Sequence, residues 1–378
     1  MTRRTRHRLL HPHSYLALPL LAAPVFLALG AAGWSSPNPD EEASPGATAA
    51  SLPLATPDPF AELPLDLVRE APTAPPGAIP LPGVRPHPYS YEVRASFSVR
   101  VRDVVIPYRV LGITARPGER IGIELDRLPD GASAEAFRLR TPTGIQEPSA
   151  LGSWEWAAPA GPGPVPLRLE SLDDGDAIVL NVLVVHPFEE AAGGSMNGFR
   201  IGEYRISSNG VLPNGFIEAN EDVLDLRMAP GFILRQFLPH QPGDPRYLAL
   251  SEPLLLKLEA ILEEVRVEGI EARTLHVMSA FRTPHYNRAI GNTTDASRHL
   301  WGDAADIFID EVGNGWMDDL TGDGQGGNAD ARLLHRIIER VEARAEPHVR
   351  PGGLHIYPPN PTRGPFLHVD ARGVPARW

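Results

Sequence analysis

The chain has 378 residues, 42% hydrophobic and 22% charged, with a formal net charge of −12 and no cysteine. The acidic balance argues against nucleic acid, which needs a basic surface to neutralise phosphates. The missing thiols exclude disulfide scaffolding, thiolate nucleophiles, cysteine-ligated metals and a lipid anchor on cysteine, so any metal must rest on His, Asp or Glu.

The length leaves room for two domains and linkers. At the N-terminus, Arg3, Arg4, Arg6 and Arg8 precede an uncharged apolar run over residues 15–34. A basic head followed by a run of about 20 apolar residues reads as an export signal, and it is also long enough to span a bilayer. A cleaved signal with small residues at Gly30, Ala31 and Ala32 and a retained inner-membrane anchor both fit residues 1–34. Either places the remainder outside the membrane, in the periplasm or cell envelope, with membrane contact only through this segment.

Residues 35–88 contain 14 prolines and almost no apolar periodicity. Such a segment buries too little surface to offset its ordering entropy and reads as a disordered tether with a reach on the order of 100 Å.

A two-residue alternation begins at Tyr89 and runs through Tyr91, Val93, Ala95, Phe97, Val99 and Val101. Further strands are predicted over 104–113, 119–125, 137–140, 152–157, 165–170 and 177–185, separated by turns such as Asp173-Asp174-Gly175-Asp176. Strands of this length and spacing predict an all-β, immunoglobulin-like sandwich over 89–187. Residues 188–250, rich in Gly, Asn and Pro, read as an irregular connector.

The period then changes. Leu254, Leu255, Leu258, Ile261, Leu262 and Val265 line one helical face, with Ser251 as cap, Pro253 in the first turn and Gly269 as stop. Strands over 274–281, 304–309 and 366–371 and a helix around Leu333, Leu334, Ile337, Ile338 and Val341 complete a small α+β domain over 251–378.

The densest chemistry is Ser297-Arg298-His299-Leu300-Trp301-Gly302-Asp303-Ala304-Ala305-Asp306. An imidazole and a carboxylate separated by small residues can approach one cation, and Phe366-Leu367-His368-Val369-Asp370 offers a third donor. A hydrolytic zinc needs three protein ligands and an open position. In a strand His368 and Asp370 share a face, so one can ligate while the other handles protons.

The pattern Ser297, His299, Gly302, Ala304, Asp306 resembles the zinc D-Ala-D-Ala carboxypeptidase family, within the superfamily of lysostaphin-type peptidases and the hedgehog signalling domain. Ser279-Ala280-Phe281-Arg282-Thr283-Pro284-His285-Tyr286-Asn287 is similar to an upstream segment of that family. Gly352-Gly353-Leu354-His355-Ile356-Tyr357-Pro358 and Phe366 to Asp370 are similar to its closing strands. The resemblance covers only the C-terminal domain. It implies His299, Asp306 and His368 as zinc ligands and peptidoglycan stem peptides as substrate. Arg282 would hold the substrate carboxylate, with Tyr286 and Ser297 also on the substrate side. Relatives place a Glu three residues before the last histidine or a His two before it. Here those positions are Pro365 and Phe366, which leaves Asp370 as the candidate base. The implied activity is hydrolysis of D-Ala-containing bonds, by a carboxypeptidase or endopeptidase. The alternative is a wall-binding module that keeps the zinc-site fold without turnover.

One insertion stands apart. Asp319, Thr321, Asp323 and Asp330 occupy positions 1, 3, 5 and 12 of a loop with Gly324 at position 6, which echoes a calcium loop. Position 12 is Asp rather than Glu, and a strand precedes the loop, so a solvated Asp/Gly turn is the competing reading.

Overall fold

The sequence alternation becomes strand β1 (Arg94–Val101), in which Ala95, Phe97, Val99 and Val101 turn inward. The computed structural model describes residues 93–204 and 212–378; the signal or anchor and the proline-rich tether lie outside the described residues. The described chain is mostly β with few helices.

The first half forms β2 (Val104–Tyr108), β3 (Val110–Ala115), β4 (Arg120–Arg127), β5 (Phe137–Thr141), β6 (Gly144–Gln146), β7 (Ser153–Ala157), β8 (Gly163–Ser171) and β9 (Ala177–Val184). One sheet has the order β2-β1-β4-β7 and the other β3-β9-β8-β5-β6. Phe97 and Phe137 meet edge to face between them, with centroids 4.9 Å apart. The single strand expected over 104–113 is two strands in different sheets. At Arg109 the backbone changes partners: its N–H bonds Val93 and its carbonyl accepts from Val179. No alternation pattern marks that crossing, because β3 is buried along its whole length.

The connector is not loose filling. It forms short pairings, including 215–219 with 246–248, and supplies Phe216, Phe232, Phe237 and Tyr247 as wholly buried side chains.

Helix α1 (Glu252–Val267) starts where Ser251 and Pro253 predict, with Ser251 Oγ accepting from the Leu254 N–H. Its polar face is not solvated. Lys257 and Glu259 are fully buried, because β3 and the helix over Asn328–Ala343 pack against α1. The Thr114 N–H donates to Glu252, the Tyr108 hydroxyl donates to Glu263 at 2.7 Å, and Arg94 bridges Glu263 and Glu346. The sheets of the first half and the C-terminal elements therefore share one core.

After α1 come β10 (His276–Ser279), α2 (Pro284–Ala289), β11 (Ala304–Phe308), α3 (Asn328–Ala343), β12 (Gly353–Tyr357), β13 (Phe366–Asp370) and β14 (Ala376–Arg377). Their sheet runs β10-β11-β13-β12-β14, antiparallel except for the β12–β14 edge pair. Helix α3 packs on α1 and on β12 and β13.

Glu259 makes this packing sensitive to pH. Its Oε2 accepts from the Gly231 N–H at 2.7 Å, while Oε1 has no partner. Burial raises its pKa from 4.5 to about 7. The folded state then holds a proton that the unfolded chain releases between those values. The stabilising contribution is complete below pH 4.5 and is lost as pH rises through about 7. Urea unfolding across that window should show wild type losing on the order of 2–3 kcal/mol relative to Glu259→Gln. Parallel pH profiles for the two proteins would refute this.

Candidate metal centre

His299 sits in a single 3₁₀ turn, Arg298–Trp301, that ends on Gly302 in the left-handed region at φ +71°. A side chain at Gly302 would place its first carbon 2.4 Å from the Ala249 carbonyl oxygen, and the Gly302 carbonyl accepts from Ser251 at the head of α1. Close approach and positive φ together require glycine here. Gly302→Ala should cost about 2 kcal/mol or more in urea unfolding. Unchanged stability would show that the turn can relax.

Asp306 and His368 come from different hairpins 62 residues apart and are direct partners in the β11–β13 ladder, so their side chains share a face. His299 Nε2 lies 3.2 Å from His368 Nδ1, His368 Nδ1 lies 3.1 Å from Asp306 Oδ1, and His299 Nε2 lies 3.3 Å from the same oxygen. All three residues are buried. A tetrahedral cation with bonds near 2.0–2.1 Å has donor–donor edges of about 3.3 Å, so this triangle fits one metal ion.

Outer partners fix which atoms face the metal position. The His299 Nδ1–H donates to the Ala280 carbonyl at 2.6 Å, leaving Nε2 as the donor atom. The His368 Nε2–H donates to Asp370 Oδ2 at 3.3 Å, leaving Nδ1. Arg282 donates from Nη2 to Asp306 Oδ2 at 2.5 Å and from Nε to Ser279 Oγ at 2.9 Å. Burial alone would raise the Asp306 pKa, but both histidines and Arg282 outweigh it and hold the carboxylate far below its usual range. Burial likewise opposes the charge on His368, and its bonds to Asp306 and Asp370 reverse the effect and raise its pKa.

Asp370 is not placed to act as the base. It is fully buried on the far side of the His368 ring from the other two donors, where it accepts from the Gly353 N–H at 2.8 Å and from Arg372. Despite burial, His368, Arg372 and Gly353 hold its pKa well below the carboxylate range, opposite to what a base near neutral pH needs. Its geometry is that of a carboxylate orienting a metal-ligating histidine.

An open cleft of about 390 Å³ leads to the donors, with Arg282, Ser297, Tyr357, Arg363 and Trp378 in its wall. Arg282 bonds Asp306 and Ser279, which gives it the task of fixing a metal donor. Tyr286 is not part of the wall, because the chain winds into α2 directly after Arg282. Sequence reasoning did not find Arg363, Arg372, Tyr357 or Trp378. Arg372 follows His368 and Asp370 at two-residue spacing, a signal that could have flagged it. The loop carrying Arg363 offers none.

The acidic loop is organised as a turn and a helix cap. Asp319 accepts from the N–H groups of Gly322, Asp323 and Gly324, and Asp323 accepts from that of Gln325. The buried Asp330 accepts from Leu320, the Thr321 N–H and hydroxyl, and Gly327 at the start of α3. These bonds account for the loop without a cation, and calcium there is not supported among the described residues. The one metal-competent group among the described residues is His299, Asp306 and His368.

Three inward donors with an approach from solvent are the design of a hydrolytic metal centre, since a structural site closes its fourth position with protein. Residues 243–320 match the family model Peptidase M15, a stretch that includes Arg282, His299 and Asp306. The C-terminal part of the chain is thus a domain of the M15 metallopeptidase family, which is zinc-dependent. No curated protein and no solved structure gives a match.

Proposed function

We propose that this protein is an exported zinc peptidase that hydrolyses D-Ala-containing bonds in peptidoglycan stem peptides, as a carboxypeptidase or endopeptidase. The observation that carries this reading is the triangle of His299 Nε2, Asp306 Oδ1 and His368 Nδ1 at the floor of an open cleft in an M15 domain. These atoms would hold zinc, which when bound supplies Lewis acidity toward a peptide carbonyl and lowers the pKa of water. Arg282 and Asp370 keep Asp306 and His368 in register, so the donor set is preorganised. The paired sheets ahead of the domain fit the immunoglobulin-like reading, and their shared core with α1 makes them a rigid mount for the cleft. The basic N-terminal segment and tether support delivery to the periplasm or envelope, attached or released.

One observation favours the rival reading of wall binding without turnover. Among the described residues of the cleft wall there is no side-chain carboxylate beyond Asp306 and no imidazole beyond His299 and His368. Incubating the protein with muropeptides, with and without chelator, separates the two. Chelator-sensitive release of D-Ala or cleaved cross-links, seen by mass, is the expected result. Retention of intact muropeptides without products would establish the rival.

A further inference from the structure

Of the 35 lysines and arginines in the chain, only Lys257 is a lysine. It is also fully buried. Its ammonium donates to Glu342 Oε1 of α3 and to the main-chain carbonyl of Asp370 at 2.6 Å. Glu342 in turn accepts from the Gly352 N–H at 2.9 Å and from Arg377. A buried ion pair seldom stabilises a fold more than apolar side chains of the same size, so stability alone does not explain this one. A compact ammonium on a long stem fits such an interior place, and a forked guanidinium does not.

The pair lies where the sheet stops being regular. Strands β12 and β13 pair as far as Leu354 with Val369, and Gly353 stands next in register opposite Asp370. Past that last rung, side chains take up the main-chain groups. The Gly353 N–H donates to Asp370 Oδ1 at 2.8 Å, the Gly352 N–H goes to Glu342, and the Asp370 carbonyl goes to Lys257. A first side-chain carbon at Gly352 would lie 1.8 Å from the Asp370 carbonyl oxygen, and one at Gly353 would lie 2.2 Å from Asp370 Oδ2. The Asp370 carboxylate fills the slot opened in this way, and from it reaches His368 Nε2 at 3.3 Å.

We propose that Lys257 and Glu342 are positioning residues for the metal centre, which hold the main chain around Asp370 so that its carboxylate aims His368 Nδ1 at the metal position. Arg372 and the Gly353 N–H fix the side chain of Asp370, and the ion pair fixes its backbone. Both are needed for one orientation of the imidazole. The proposal goes beyond the peptidase reading and rests on it for the metal alone, not for the substrate.

The test uses the full chain and three measurements: zinc affinity by competition with a chromogenic chelator, urea unfolding, and the visible absorption of the cobalt(II)-substituted protein. Lys257→Met should weaken zinc binding by roughly 10-fold or more, as loss of an outer partner does, and should alter the cobalt spectrum. In an Asp370→Ala background the same substitution should cost less than about 2-fold further, because the lysine acts through Asp370. Lys257→Met combined with Glu342→Leu replaces the pair by apolar side chains, so stability should return toward that of wild type while zinc affinity stays low.

Unchanged zinc affinity in Lys257→Met, an equal loss in the Asp370→Ala background, or an affinity that recovers together with stability in the double variant would each overturn the proposal. Failure of both the single and the double variant to fold would overturn it too, by assigning the pair to stability. Wild type that takes up no zinc would sink the metal reading and the proposal with it. Zinc in wild type that is indifferent to Lys257 would sink the positioning role alone.

Discussion

In His299→Ala, zinc should fall from near-stoichiometric to a small fraction of one ion per chain, with hydrolysis lost alongside it. His299 Nε2 is one corner of a triangle whose other corners lie 3.2 and 3.3 Å away. Removing it leaves Asp306 and His368, a two-donor set that does not meet the three-ligand requirement of a hydrolytic zinc. The loss of activity should exceed the ~10–100-fold typical of removing an outer partner. The turn is held by Gly302 against Ala249 and by its bond to Ser251, so the variant should still fold. Elemental analysis of a folded, monodisperse sample is the measurement. Undiminished zinc in that sample would remove His299 from the ligand set and, with it, the reading of the site.

Asp370→Ala should weaken zinc binding by roughly 10–100-fold, and added zinc should restore much of the lost activity. Asp370 fixes His368 with Nδ1 toward the other donors by accepting from Nε2, while Arg372 and the Gly353 N–H hold the carboxylate in place. Without it the imidazole is free to adopt the other tautomer or turn, and the affinity of the triad drops. Loss of a general base would behave differently, with zinc content intact and a defect that no zinc concentration rescues. Competition with a chromogenic chelator, followed by activity at rising zinc, distinguishes the outcomes. A zinc-insensitive defect would return Asp370 to the role of base and require the cleft to rearrange in the complex.

Two of the three donors, His299 and Asp306, stood out in the sequence because their chemistry is local, whereas His368, 62 residues beyond Asp306, was marked by the resemblance of its strand to the family's closing strand. His299, Gly302 and Asp306 stand in one short segment, and small residues between functional ones are a constraint readable along a chain. Helix α1 was equally readable from its cap, proline and apolar stripe, since capping and periodicity act within a few residues. What the far side of α1 touches was not. Its apolar stripe implies a solvated polar face, yet Lys257 donates to the Asp370 main-chain carbonyl at 2.6 Å, and Glu263 accepts from Tyr108 of β2. Those partners lie 113 and 155 residues away, and only packing brings them there.

The roles of Asp370 and Arg282 divide along the same line. Spacing along a strand put Asp370 on the face of His368. It could not say that the imidazole presents one nitrogen to the metal position and the other to Asp370, which sets the carboxylate behind the ring. Arg282 was marked by its motif, but its pairing with Asp306 depends on the β10–β11 ladder, in which Ser279 stands opposite Asp306. Which side chains can ligate is a property of residue type and spacing. Which atom of each faces the metal, and which charges are left free for a substrate, depends on hydrogen bonds between strands distant in sequence, and those exist only in the folded sheet.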